Sequence, residues 1–196
     1  MSPNLKRMTI EEFYAWVERR PDEERWELVD GFPVRMMAGA KRSHRVVVNN
    51  IAFALTPAAR KRGCDTATND AGVATRSAHV RLPDVVIDCA PPGDDAMGTG
   101  RPVIVVEVLS PSTRFIDQTD KLDEFRALES VRVVILVEPD IVAVKLYRRE
   151  EGGEWSTEHY RDLSERIALP EIDAALLVSE IYATLSPDER SGPRPV

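Results

Sequence analysis

Val103-Ile104-Val105-Val106-Glu107-Val108-Leu109 is the stretch that decides the fold. Its apolar, mostly β-branched residues run on without polar alternation, the pattern of a central strand covered on both faces. Such a strand needs neighbours at its edges and layers above and below, and the flanking sequence offers both. Ser110-Pro111-Ser112-Thr113 breaks it and can cap a helix running to about Ala127, with Phe115, Leu122 and Phe125 on one side. Residues 131–138 predict a second buried strand. Residues 142–148 pair with it across the Pro139-Asp140 turn, and residues 155–161 add an edge strand. Residues 176–185 predict a short final helix.

Upstream, Thr9 with Glu12 three residues on gives a capping box ahead of Phe13, Trp16 and Val17, hence a first helix over residues 10–19, ended by Pro21. Trp26-Glu27-Leu28-Val29 reads as a strand, turned at Asp30-Gly31 into a second over residues 34–37. Val47, Ile51, Ala54 and Leu55 recur at helical spacing, so residues 41–62 form a helix with Pro57 as a kink or break and Gly63 as its C-cap. Residues 72–76 and 79–89 are β-like runs, and residues 91–100 a turn-rich loop. The whole is an α/β fold with one mixed β-sheet flanked by helices. It forms a single domain over residues 1–185, followed by a proline-bearing tail, 186–196, expected to be disordered.

Composition bounds what such a domain does. The chain has 196 residues, 43 % apolar and 30 % charged, enough for a real core. Its net charge of −7 argues against a nonspecific nucleic-acid coat. The charge is uneven, however: residues 31–64 hold no acid, while Arg35, Lys41, Arg42, Arg45, Arg60, Lys61 and Arg62 give +7, leaving −14 for the rest. Such an island marks a local anion-facing surface. Cys64 and Cys89 are too few and too badly spaced for a zinc knuckle or a disulfide framework, which fits a reducing cytoplasm. No signal peptide and no membrane span are visible.

Six residues bear weighing for chemistry. Glu107 is the one charge in the central strand, where a carboxylate costs several kcal/mol unless it is paired, protonated or metal-bound, or else reaches solvent at the strand end. Asp84 follows Pro83, which marks an edge or bend able to aim it at a neighbouring strand; a plain turn aspartate is the alternative. Asp88 reads as a solvent-facing strand end. Glu27 in its short strand is either an outward side chain or a third carboxylate of the site. Lys121 is either an exposed i,i+4 partner of Asp117 or a cation of the site. His44, in the basic helix, can contact a phosphate or bond to Glu27.

Leu82-Pro83-Asp84 followed 23 residues later by Glu107 resembles the PD-(D/E)xK signature of restriction-endonuclease-like nucleases. More closely, the chain resembles the restriction-endonuclease-like Uma-two family of small bacterial proteins. The resemblance spans residues 8–185 and rests on Trp26-Glu27-Leu28-Val29-Asp30-Gly31, the His44 helix, Leu82-Pro83-Asp84, and Glu107-Val108-Leu109-Ser110-Pro111-Ser112-Thr113 with Asp117 and Lys121 after it. It implies a restriction-endonuclease-like mixed β-sheet and a Mg²⁺- or Mn²⁺-dependent endonuclease acting on DNA. Asp84, Glu107 and the Val108 carbonyl would hold the metal, with Glu27 and Lys121 completing the catalytic set. His44, Lys41, Arg42 and Arg45 would meet phosphates. One departure stands out: the signature lysine belongs two residues after Glu107, where Leu109 stands, and the resemblance transfers it to Lys121 in the next helix. That departure and the acidic charge motivate a second reading, a nuclease-fold DNA-binding or scaffold protein without turnover. A metal phosphoesterase acting on nucleotides is a third. A homodimer, with residues 142–147 or 150–154 at its interface, would let such a nuclease cut both strands.

Overall fold

The computed structural model describes residues 6–36, 39–110 and 118–187. The central run forms β7 (Pro102–Val108), buried along its whole length. It lies inside a six-stranded sheet of order β10-β9-β8-β7-β6-β3, made with β3 (Asp65–Thr68), β6 (Val85–Asp88), β8 (Val133–Glu138), β9 (Ala143–Arg149) and β10 (Trp155–Tyr160). Only β7 and β8 run parallel, and α3 (Asp120–Ala127) lies in the long crossover that a parallel pair requires. The helix start expected near residue 112 and Asp117 lie outside the described residues, as does most of the expected tail.

Alternate residues of β7 serve two different layers. Ile104, Val106 and Val108 face α2 (Arg42–Lys61) through Val47, Val48, Ile51 and Leu55. Val105 and Leu109 pack with Leu122 and Phe125 of α3. Each fully buried Val, Ile or Leu contributes roughly 1.5–3 kcal/mol, so these two layers set where everything else sits. α2 continues through Pro57 as one helix, so the proline does not break it. Gly63 takes φ +70° just beyond it, with the Cys64 N–H bonded to the Ala59 carbonyl, as a helix C-terminus requires.

The second sheet was not legible as a separate unit. Its order is β2-β1-β5-β4, from β1 (Trp26–Val29), β2 (Phe32–Arg35), β4 (Val73–Arg76) and β5 (His79–Arg81). The run 79–89, expected as one strand, is divided at Leu82-Pro83-Asp84, and its halves β5 and β6 belong to different sheets. The β1–β2 turn holds Asp30 and Gly31 both at positive φ, the geometry of a tight hairpin. Against this sheet lies α1 (Ile10–Val17), whose Thr9–Glu12 capping box forms as expected.

Three further expectations are corrected. The last segment is not a helix over 176–185: residues from 174 form β12 (Ala174–Leu177), paired with β11 (Arg166–Leu169), then a single helical turn, α4 (Val178–Ile181). Asp88 is buried, its carboxylate accepting the N–H groups of Ala90, Gly100 and Arg101. Cys64 and Cys89 flank the β3–β6 ladder directly opposite each other and are joined as a disulfide, so cysteine usage no longer argues for a reducing compartment. Among the described residues no helix is long and apolar enough to cross a membrane. β9 is paired on both sides, so its backbone offers no edge to a second copy; the open edges are β10 and β3.

Candidate functional site

The break at Pro83 builds the site. Val85 pairs with Val106 in the antiparallel β6–β7 ladder, and the same register carried one step further sets Asp84 opposite Glu107. The ladder ends there because the Asp84 carboxylate, rather than a backbone carbonyl, accepts the Val108 N–H at 2.7 Å. Glu107 is in phase with Val105 and Leu109, so it belongs to the α3 side of the sheet, where it is 3 % exposed. Lys121 reaches it from α3, Nζ lying 3.3 Å from Glu107 Oε1 and 3.1 Å from Glu27 Oε1. The lysine is buried rather than surface-paired, and α3 delivers its ammonium to the strand carboxylate.

Glu27 is equally buried and faces inward from β1. Its Oε1 also accepts the Leu82 N–H at 3.1 Å, one residue before the proline. Its Oε2 accepts from Arg81 Nη1 at 3.0 Å. Arg81 then grips Glu124 of α3 with two bonds, Nε to Oε2 at 2.8 Å and Nη2 to Oε1 at 2.7 Å. The Thr75 hydroxyl donates to Glu124 Oε2 at 2.8 Å, and His79 Nδ1 lies 3.2 Å from Oε1. Charges therefore alternate along a buried chain, Glu107–Lys121–Glu27–Arg81–Glu124, which bridges both sheets and α3. Burial opposes the charge on Arg81, but the Glu124 and Glu27 carboxylates outweigh it and hold the guanidinium above its ordinary value. Burial likewise raises the Glu124 carboxyl, yet its bonds to Arg81 and Thr75 prevail and hold it below the usual range. Arg81 and Glu124 went unread in the sequence. The available signal was a lone Arg directly before Leu82-Pro83-Asp84.

His44 Nε2 lies 3.4 Å from Asp84 Oδ2, so its carboxylate neighbour is Asp84 rather than Glu27. All five of Asp84, Glu107, Glu27, Lys121 and His44 line one cleft of about 710 Å³ between the two sheets, as does Val108. Lys41 lines it too, 3.7 Å from Asp140, together with Arg25 and Arg35. Arg42 and Arg45 are exposed and are not among its lining residues. The basic island is thus divided. α2 carries Lys41 and His44 to the cleft, whereas Lys61 lies 17 residues beyond His44, about 25 Å along the helix at 1.5 Å per residue. Arg62, at that far end, faces Asp173 at 3.5 Å. Among the described residues no group of three or more His, Cys, Asp and Glu forms a ready metal cage.

The chain is thus an α/β protein in which a mixed sheet flanked by helices brings the Glu107 and Asp84 carboxylates and the buried Lys121 to one cleft. The Uma2 family model, described as "Putative restriction endonuclease", matches residues 10–178. The chain belongs to that family. It is 27 % identical over 189 residues to a protein of Synechocystis sp. (strain ATCC 27184 / PCC 6803 / Kazusa), Uncharacterized protein slr1290, covering 94 % of this chain and 96 % of that one. Its fold is similar to a crystal structure from Anabaena variabilis ATCC 29413 described as a putative nuclease belonging to DUF820. The TM-score is 0.70 at 16 % identity, covering 90 % of this chain and 98 % of that one.

Proposed function

We propose that the protein is a metal-dependent endonuclease that hydrolyses phosphodiester bonds in DNA, with Asp84, Glu107, Glu27 and Lys121 as its working residues. One observation carries the reading: the β6–β7 register opposes Asp84 to Glu107, while Lys121 approaches Glu107 to 3.3 Å in a large cleft. The donor set suits Mg²⁺ or Mn²⁺. These hard ions keep several waters and need only one or two carboxylates beside the substrate phosphate, so a three-ligand cage is not required. Asp84, Glu107 and the Val108 carbonyl would hold the ion, which supplies charge neutralisation at the phosphate and a more acidic water.

The chain's own groups do the rest. Lys121, fixed between two carboxylates, donates hydrogen bonds toward the attacking water or the oxygen on which negative charge develops. Glu27 holds that ammonium in place and ties it to the Leu82 N–H beside the Pro83 break. His44 orients the Asp84 carboxylate, and Lys41 with Arg25 and Arg35 gives the rim a positive potential toward the phosphate backbone. Arg42 and Arg45, exposed on α2, extend that basic end. The balanced reaction adds one water across a P–O bond, leaving a phosphomonoester on one fragment and a hydroxyl on the other. The reading places the enzyme in the cytoplasm with its substrate, and a homodimer suits cleavage of both strands by one site per chain.

The test is cleavage of supercoiled, linear and single-stranded DNA with Mg²⁺ or Mn²⁺, with EDTA as control. Wild type cuts, whereas Glu107→Gln and Lys121→Ala do not. Metal and DNA bound without any cutting would instead establish the binding or scaffold reading, which the ion pairing of Lys121 with both Glu27 and Glu107 also accommodates.

A further inference from the structure

The ladder that opposes Asp84 to Glu107 does not stop there. Glu107 pairs with Leu136, Leu136 with Lys145, and Lys145 with His159. These residues form one row across β7, β8, β9 and β10, and directly opposed residues share a face of the sheet. At about 4.8 Å per strand, Lys145 lies roughly 10 Å from Glu107 along the row and His159 roughly 14 Å. Beside them opens a second pocket of about 200 Å³, lined by Leu109, Leu136, Lys145, His159 and Arg161. Leu109 lines this pocket and the main cleft alike. Among the described residues Lys145, His159 and Arg161 stand in no salt bridge, the Lys145 ammonium lies over the Tyr147 ring at 5.9 Å, and Glu138 is the only acid lining the pocket.

Resting on the nuclease reading, we propose that this pocket is a second subsite for the DNA strand. Lys145 and Arg161 would hold a phosphate, and the apolar floor of Leu109 and Leu136 would hold its sugar or base. The span of roughly 10–14 Å corresponds to three or four nucleotides at about 3.4 Å of axis rise per strand. A solvated surface does not call for this combination: cations outside any salt bridge, an apolar floor and strict register with the carboxylates. It also supplies the positive charge that the far end of α2 cannot bring to the site.

The experiment is fluorescence anisotropy of a labelled single strand about twelve nucleotides long, titrated over a range of salt with Ca²⁺ in place of Mg²⁺ to prevent cutting. Lys145→Ala and Arg161→Ala are each expected to weaken binding about fivefold and to reduce the salt slope by about 0.7. Lys145→Arg restores binding, and Arg62→Ala, at the remote end of α2, changes nothing. Variants that bind as wild type with an unchanged slope overturn the subsite while leaving the nuclease reading standing. A wild-type protein that binds no strand overturns both.

Discussion

The two faces of the six-stranded sheet are built from alternate residues of the same strands, yet they differ in kind. Toward α2, the side chains of Ile104, Val106, Val108, Ile135 and Val137 join one apolar core with Val47, Ile51 and Leu55. Toward α3, Val105 and Leu109 flank Glu107, and a buried chain of charges runs from it through Lys121, Glu27 and Arg81 to Glu124. The first face holds the fold; the second gives up apolar burial to hold five charged groups in fixed relation. A protein keeps so costly an arrangement where position matters more than stability.

That contrast breaks most sharply at Glu107. Glu107→Gln should lower metal-dependent cleavage by about a thousandfold or more while unfolding stays cooperative, read from initial rates and a circular-dichroism melt. Arg81→Met takes from buried Glu124 its two guanidinium bonds and from Glu27 one of its two cations, and should cost about 3–5 kcal/mol in urea unfolding; adding Glu124→Leu should recover part of that loss. On the other face, Ile135→Ala should cost about 2–5 kcal/mol through its cavity, with the cleavage rate per folded molecule unchanged.

The smallest effect is on pH dependence. Because the Glu124 carboxyl is held below its ordinary value in the folded protein, the unfolded chain binds more protons as pH falls. Its stabilisation is complete above the ordinary glutamate value and is lost as pH falls through the lowered native one. The urea midpoint should therefore drop between about pH 6 and pH 3, and drop less in Glu124→Gln.

The apolar face was the legible one. Continuous Val and Ile in β7 and β8, and the helical spacing of Val47, Ile51 and Leu55, state burial directly in the residue types. On the charged face Asp84 and Glu107 announced themselves, because a lone acid in an apolar strand or after a strand proline conflicts with its surroundings; Glu27 and Lys121 were weak signals alone and gained weight only as parts of the set. Arg81 and Glu124 raise no such conflict, since their partnership depends on a contact between residues 43 apart. The division of residues 79–89 between two sheets was hidden for a related reason: Pro83 signals a bend but not where the chain goes next. Residues 176–185, which hold the end of β12 and α4, read as one helix because Leu176, Leu177 and Ile181 suit either period, and the strand partner of β12 comes from a segment without strong alternation. The Cys64–Cys89 bridge follows from the β3–β6 register, which no cysteine spacing reveals.

The central claim is that Asp84 and Glu107 jointly hold a catalytic metal beside Lys121. Anomalous diffraction from Mn²⁺-soaked crystals tests it most directly. The account predicts a peak bridging the two carboxylates, with the Lys121 ammonium within about 5 Å, that disappears in Asp84→Asn. No peak at saturating Mn²⁺, or one bound away from both carboxylates while Lys121 stays locked between Glu27 and Glu107, would contradict it.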